Sequence, residues 1–353
     1  MSAVTRIDDW TAAFDAIIDV RSPAEFADDH IPGAVSLPAL SNEQRAEVGT
    51  LYKQVSAFEA KKVGAALISR NIADHIEAYF LDKPGGFRPL IYCWRGGQRS
   101  GSFSLVLAEI GFRPQTLIGG YKRYRRDVMD HVEALPGTFD YRVVAGRTGT
   151  AKTRFLDALA EAGAQVLDLE GLANHKGSMF GLTPGTQQPS PRLFESRIVE
   201  ALRGFDPAHP VWVESESPKI GQLFVPKPLH DAMRRSPALR LTAPIEARVQ
   251  HSVEDYRPWF DHPDAVRERL ERLTYRHGHA LIGKWTALVE ARDWPGLVEA
   301  LLRDHYDPAY AGSSSAYGWD QGEELALPDL QAETIKKAAE ATLRRFIRPQ
   351  PPR

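Results

Sequence analysis

The chain has 353 residues, 43% of them hydrophobic and 25% charged, with a formal net charge of −2. That length predicts two domains rather than one, the composition is that of a globular protein, and the charge excludes a generally basic nucleic-acid coat protein while leaving room for a local basic surface. A single cysteine excludes an intramolecular disulfide framework, a cysteine-cluster zinc site and any resolving thiol for a sulfur relay within the chain. Residues 1–10 have no apolar signal core and no run of about 18 apolar residues occurs, so the expectation is a cytoplasmic protein with no membrane partner.

In chain order, residues 16–20 form a short apolar strand. Ser22 then reads as a helix N-cap, with Pro23 at the first helical position and Glu25 in the first turn. Asp19 and Arg21 read as an internal ion pair at the sheet end, and His30 as the brace of a turn over residues 30–34. A second strand is expected at 35–37 and a helical apolar pattern at 57–80, before Gly85 and Gly86 break the chain. Residues 90–93 form a strand that runs into a glycine-rich loop, and 100–110 a helix ended by Gly111. Another strand follows at 116–118. Short strands alternating with helices predict a parallel α/β sheet, whose ligands sit at the carboxyl ends of the strands.

Cys93 falls at such an end. Residues 93–100 read Cys-Trp-Arg-Gly-Gly-Gln-Arg-Ser. A thiolate at a helix N-terminus, flanked by Arg95 and Arg99 and followed by Ser100, has a depressed pKa and is nucleophilic at neutral pH. Gly96 and Gly97 let the backbone turn its amides inward to hold an oxyanion. A lone cysteine is more often a small buried hydrophobe, but a packing cysteine needs none of these neighbours.

Lys122, Arg123, Arg125 and Arg126, interleaved with Tyr121 and Tyr124, read either as an RNA-contacting surface with stacking rings or as a solvated helix face. Pro136 and Gly137 mark a boundary, predicting domains at 1–136 and 137–353. In the second, a strand at 141–145 leads into Gly-Arg-Thr-Gly-Thr-Ala-Lys-Thr at 146–153, a P-loop in which Ala151 replaces the second glycine. Gly146, Thr148 and Gly149 belong to the phosphate cradle, Lys152 adds a point charge, and Thr153 is the candidate ligand of a Mg²⁺ ion. Further strands are expected at 165–170, 210–216 and, as the last, 239–242. Glu214 or Glu216 reads as the metal-holding acid beside the P-loop, or equally as a capping or lysine-pairing carboxylate. Residues 245–302 read as mainly helical, and a terminal helix at 329–347 carries Lys336, Lys337, Arg344 and Arg345 as further candidate RNA contacts.

The motifs Asp-Val-Arg-Ser-Pro-Ala-Glu-Phe at 19–26, His-Ile-Pro-Gly-Ala at 30–34 and the Cys93 loop together resemble a rhodanese domain. Many single-domain rhodaneses have four residues between the cysteine and the arginine, whereas five lie here, from Trp94 to Gln98. A longer loop suits a larger oxyanion, such as a phosphorylated chalcogen donor. Adding Gly-Gly-Tyr-Lys at 119–122, Leu-Glu-Gly-Leu-Ala-Asn-His-Lys-Gly-Ser at 169–178 and Glu-Ser-Glu-Ser-Pro-Lys-Ile-Gly at 214–221, the chain resembles the bacterial tRNA 2-selenouridine synthases to about residue 345.

That resemblance implies a rhodanese-like parallel-sheet domain followed by a P-loop NTPase-like α/β domain with a helical C-terminal part. It implies S-geranylation of the wobble 2-thiouridine from geranyl diphosphate, in tRNAs for lysine, glutamate and glutamine. The geranylthio group is then replaced by selenium from selenophosphate, which a selenophosphate synthetase supplies. On this reading Lys152 and Thr153 hold the diphosphate and Cys93 presents selenium as a selenopersulfide. The enzyme is expected to be a monomer with no tightly bound cofactor. The other readings are a rhodanese-type sulfurtransferase coupled to a nucleotide-binding domain, and a cysteine phosphatase fused to a regulatory nucleotide-binding module.

Overall fold

The computed structural model describes residues 4–346, with the side chains of 312–316 left out of the description. By contact the chain divides into a first unit that runs to His131 and takes in Pro189–Glu200, and a second unit of Val132–Gln188 and the residues from Ala201 onward. The sequence reading placed one cut after residue 136, and the returning segment Pro189–Glu200 has no counterpart in it.

The first unit is built on a five-stranded sheet in the order Thr5–Ile7, Gln115–Leu117, Pro89–Tyr92, Ala16–Asp19, Val35–Ser36. Every pairing is parallel. The central strand, Pro89–Tyr92, is buried along its length and delivers Cys93 at its carboxyl end. Behind it the helix Gln98–Ile110 buries Phe103, Leu107 and Ala108 and ends where Gly111 turns left-handed, at φ +112°. The helix Asn42–Gln54 was not expected, because it buries no residue and so carries no apolar period; Ser41 starts it by accepting from the Gln44 amide at 3.2 Å. The pattern at 57–80 resolves into the helix Ala57–His75 and one wider turn, Ile76–Phe80.

The basic stretch lies on the helix Gly120–Ala134, which buries Tyr121, Tyr124 and Val128. Burial of both tyrosines overturns the expectation that they stack on bases. Their rings close the core instead, Tyr121 at 5.2 Å from Trp94 and 6.2 Å from Tyr124.

The second unit carries a five-stranded parallel sheet in the order Glu323–Ala326, Ala238–Thr242, Tyr141–Gly146, Val211–Glu214, Gln165–Leu167. The strand feeding the P-loop is again central. The last strand is Glu323–Ala326 rather than Ala238–Thr242, and it is easily missed because it is short and mostly exposed. The expected strand at 165–170 stops at Leu167, where Asp168 accepts from the Gly171 amide at 2.8 Å and opens the helix Leu169–Ala173. The region 245–302 is helical as expected. Its helices Pro263–Glu271, Thr274–Glu290 and Trp294–Leu301 pack around Trp285, Leu270 and Leu297. No helix among the described residues is long and apolar enough to cross a membrane.

Candidate active sites

The first site begins where the central strand stops. The Cys93 sulfur is buried, 3.2 Å from the Gly97 amide and 3.2 Å from the Ser100 hydroxyl. Burial pushes the thiol up, but the Ser100 hydroxyl and amide, the Arg99 charge and the Gly97 amide outweigh it and hold the thiol below its ordinary value. Arg99 is anchored by Glu25, with Nη1 2.9 Å from Oε2, so a residue of the Ser22–Pro23 turn positions the guanidinium beside the sulfur. Arg95 and Gln98 are exposed.

The two loop glycines differ. Gly96 has φ +68°, and a Cβ there would sit 2.5 Å from the Leu117 carbonyl oxygen. Gly97 has no atom within 4 Å of that position. Gly120, at φ +55°, lies against the same loop, where a Cβ would overlap the Cys93 carbonyl oxygen. That oxygen accepts from the Tyr121 amide at 2.9 Å, and the Trp94 carbonyl from the Lys122 amide at 3.0 Å. The Gly-Gly-Tyr-Lys motif thus props up the Cys93 loop.

Asp19 and Arg21 form a fully buried pair at 2.6 Å, and Arg21 also donates to the Asp29 carbonyl at 2.5 Å and stacks over the Tyr121 ring. They hold the sheet end, as the sequence reading has it. His30 braces its turn, with Nδ1 2.8 Å from the Phe26 carbonyl and its ring stacked on Phe26. Of the four basic candidates, Lys122, Arg123 and Arg126 are exposed. Arg125 is instead turned onto Glu195 of the returning segment and lies 3.8 Å from buried Asp29, which removes it from the candidate RNA face. Lys336, Lys337, Arg344 and Arg345 are exposed, and the last three pair with Glu333, Glu340 and Glu323.

The second site is a cleft over the P-loop. The strand Tyr141–Gly146 turns through Gly146 and Gly149 into the helix Lys152–Glu161. Ala151 takes the left-handed conformation, φ +59° and ψ +37°, which favours glycine, so alanine stands here at a conformational cost. Lys152 Nζ donates to the Gly146 carbonyl at 3.2 Å, and the Thr153 hydroxyl to Glu170 Oε2 at 3.1 Å. The loop is pinned from behind by Arg248, which donates to the Thr148 carbonyl from Nε at 3.0 Å and Nη2 at 2.7 Å while gripping Asp307.

Glu214 does not line the cleft. It accepts from the Glu170 amide at 2.7 Å, capping the helix Leu169–Ala173, which matches its alternative reading and not the metal-holding one. Glu170 and Glu216 line the cleft in its place. Burial and the neighbouring carboxylates push Glu214 and Glu216 well above the ordinary carboxylate range. Thr153 and Glu170 are hard oxygen donors that fit Mg²⁺ when a diphosphate and water complete its shell. Among the described residues no cluster of three or more acidic, histidine or cysteine side chains is placed to hold a metal by itself.

Sequence reading missed Arg248, His251, Ser252 and Asp255, which reach the P-loop from the helix Ile245–Asp255. Their spacing of three, four and seven places them on one helical face, a signal present in the sequence but a hundred residues from the motif they serve.

A buried thiol in a Cys-x5-Arg loop and a P-loop, each at the carboxyl end of a central parallel strand, have the local architecture of a two-domain group-transfer enzyme. Residues 3–127 match the rhodanese-like domain, and residues 139–262 match the tRNA 2-selenouridine synthase AAA domain. The chain is 33% identical over 330 residues to the tRNA 2-selenouridine synthase of Alcanivorax borkumensis, covering 83% of this chain and 88% of that one. It is 35% identical over 326 residues to that of Marinobacter nauticus, covering 83% and 87%, and 36% identical over 330 residues to that of Nitrosomonas europaea, covering 91% and 82%. The chain belongs to the tRNA 2-selenouridine synthase family, a family of tRNA-modifying transferases.

Proposed function

We propose that this enzyme converts the wobble 2-thiouridine of the tRNAs for lysine, glutamate and glutamine into 2-selenouridine, through an S-geranyl intermediate. The observation that carries the proposal is the pairing, in one chain, of a thiol cradle with an anion-binding P-loop. The thiocarbonyl sulfur attacks C1 of geranyl diphosphate, the C–O bond breaks and diphosphate leaves. Lys152, the amides of residues 146–152 and Thr153 stabilise the departing charge. Alkylation turns a poor leaving group into a thiol.

For the second step, electron balance argues against a selenopersulfide on Cys93. Selenophosphate carries selenium as selenide, and making a selenopersulfide while releasing phosphate requires a two-electron oxidant. A balanced route has the Cys93 thiolate attack phosphorus, breaking the P–Se bond to give S-phosphocysteine and hydrogen selenide. The selenide adds to C2 and geranylthiol leaves, giving 2-selenouridine, while water hydrolyses the phosphocysteine to free thiol and phosphate. Arg99 and the Gly97 amide stabilise charge on the phosphoryl oxygens. Lys122, Arg123 and Arg126 are the candidate tRNA contacts of the first unit, acting on phosphates and therefore sensitive to salt.

The test is nucleoside mass spectrometry on 2-thiouridine tRNA treated with geranyl diphosphate and then selenophosphate. Wild type should yield both products, Cys93→Ser only the geranylated one, and Lys152→Ala little of either unless geranylated tRNA is supplied. Loss of both reactions in folded Cys93→Ser would refute the division of labour. Thiocyanate release from thiosulfate and cyanide without any change to tRNA would return the sulfurtransferase reading.

A further inference from the structure

Beside the P-loop cleft lies a second cavity whose wall is apolar. Phe180, Trp259, Val266, Leu297 and Leu301 form most of it. Thr148, Ser252, Tyr256 and Tyr306 line both this cavity and the P-loop cleft, so the two spaces adjoin. The polar edges of the wall are tied off elsewhere. The Trp259 indole N–H donates to the Phe180 carbonyl at 2.8 Å, and the Tyr256 hydroxyl to Ser178 at 2.9 Å. The wider helical turn Leu302–Tyr306 sets Leu302 and Tyr306 on the same wall. On the shared lining one buried group is unspent: the Ser252 hydroxyl makes no hydrogen bond among the described residues.

Such a wall has carbon faces to offer and no free donors or acceptors with which to read a nucleobase. A ligand whose anionic end rests on Lys152 meets hydrocarbon as soon as it passes Ser252. We infer that this cavity holds the hydrocarbon chain of the prenyl diphosphate whose diphosphate sits on the P-loop. The inference rests on the donor assigned above and adds where its chain goes and why the P-loop selects a prenyl ester over a nucleotide. Phe180, Trp259 and Leu301 are then specificity-determining residues for the first transfer.

The experiment is isothermal titration of the full-length protein with geranyl diphosphate, inorganic diphosphate and ATP. It compares wild type with Leu301→Trp and Val298→Phe, which fill the cavity from its wall, each checked for an unchanged circular dichroism spectrum. At about 0.8 kcal/mol per buried CH₂, four methylenes correspond to roughly 200-fold, so wild type should bind geranyl diphosphate about 100-fold or more tighter than diphosphate, with a negative heat-capacity change. At least one folded filling variant should cut that preference below about 10-fold and leave diphosphate binding within about 2-fold of wild type.

A preference for geranyl diphosphate that survives both folded variants overturns the cavity assignment and leaves the donor assignment standing. No preference in wild type overturns the donor assignment itself. ATP binding tighter than geranyl diphosphate overturns both, and makes the cleft a nucleotide site. Should both filling variants misfold, Trp259→Ala supplies the reading: a gain of about 10-fold for farnesyl over geranyl diphosphate supports the cavity, and no change overturns it.

Discussion

Replacing Gly96 by alanine and, separately, Gly97 by alanine tests the geometry of the thiol cradle. The two glycines are adjacent and look interchangeable in sequence, but only Gly96 is left-handed, at φ +68° with a Cβ position 2.5 Å from the Leu117 carbonyl oxygen. Forcing alanine into that conformation costs about 1–2 kcal/mol. Backbone contact of this kind adds about 1–3 kcal/mol of overpacking strain. The stiffer unfolded chain returns about 0.4–1 kcal/mol. The net loss for Gly96→Ala is about 3 kcal/mol, which lowers the unfolding temperature of the first unit by about 6–12 °C. Gly97→Ala meets nothing within 4 Å and should stay within about 1 kcal/mol of wild type, its entropic gain offset by a poorer N-cap. Differential scanning calorimetry, with Cys93 alkylation rate as a second readout, separates the two. Equal losses in both variants, or a Gly96→Ala shift under about 2 °C, would refute the reasoning.

Three further outcomes follow from the same geometry. The pH profile of Cys93 alkylation by iodoacetamide should have its midpoint below that of a free thiol, with reactivity lost as pH falls through it. Ser100→Ala should move that midpoint up, because the hydroxyl is the leading group that opposes burial. Arg21→Met leaves Asp19 buried and unpaired, which costs about 3–5 kcal/mol by urea denaturation, and adding Asp19→Asn should recover part of the loss. Glu216 is held above its ordinary range by burial and by Glu170 and Glu214, so its contribution is full at acid pH and is lost as pH rises through the folded value. Glu216→Gln should therefore gain stability relative to wild type on going from pH 5 to pH 8, read from denaturant midpoints at both.

Both anion-binding loops were legible in the sequence because each is local: an apolar strand followed at once by glycines and a helix start. The Cys93 loop and the P-loop carry their own geometry, and so does the helix start at Ser22, Pro23 and Glu25, although the reach of Glu25 to Arg99 does not show in the sequence. What escaped depends on distant chain. Arg125 reads as a free cation until Glu195 meets it from seventy residues away. Glu214 and Glu216 look equivalent on a strand, yet one caps a helix and the other faces the cleft. Buried tyrosines and exposed arginines share one amphipathic helix, and sequence spacing alone does not say which side faces inward. The strand Glu323–Ala326 has too little apolar character to announce itself, since it packs at a sheet edge.

The returning segment has a consequence for biosynthesis. A ribosome that has released everything up to His131 has not yet delivered Pro189–Glu200, which completes the same unit. At about 5–20 residues per second the gap lasts roughly 3–14 s. Through that interval Arg125 lacks Glu195, and Asp28 lacks Arg192, its partner at 2.7 Å. The P-loop strand and its helix emerge within the same interval, so the second unit begins to take shape before the first is finished. The two halves are therefore linked in their order of assembly: the first sheet is complete by Leu117, and for seconds it waits for the helix that supplies Arg192 and Glu195.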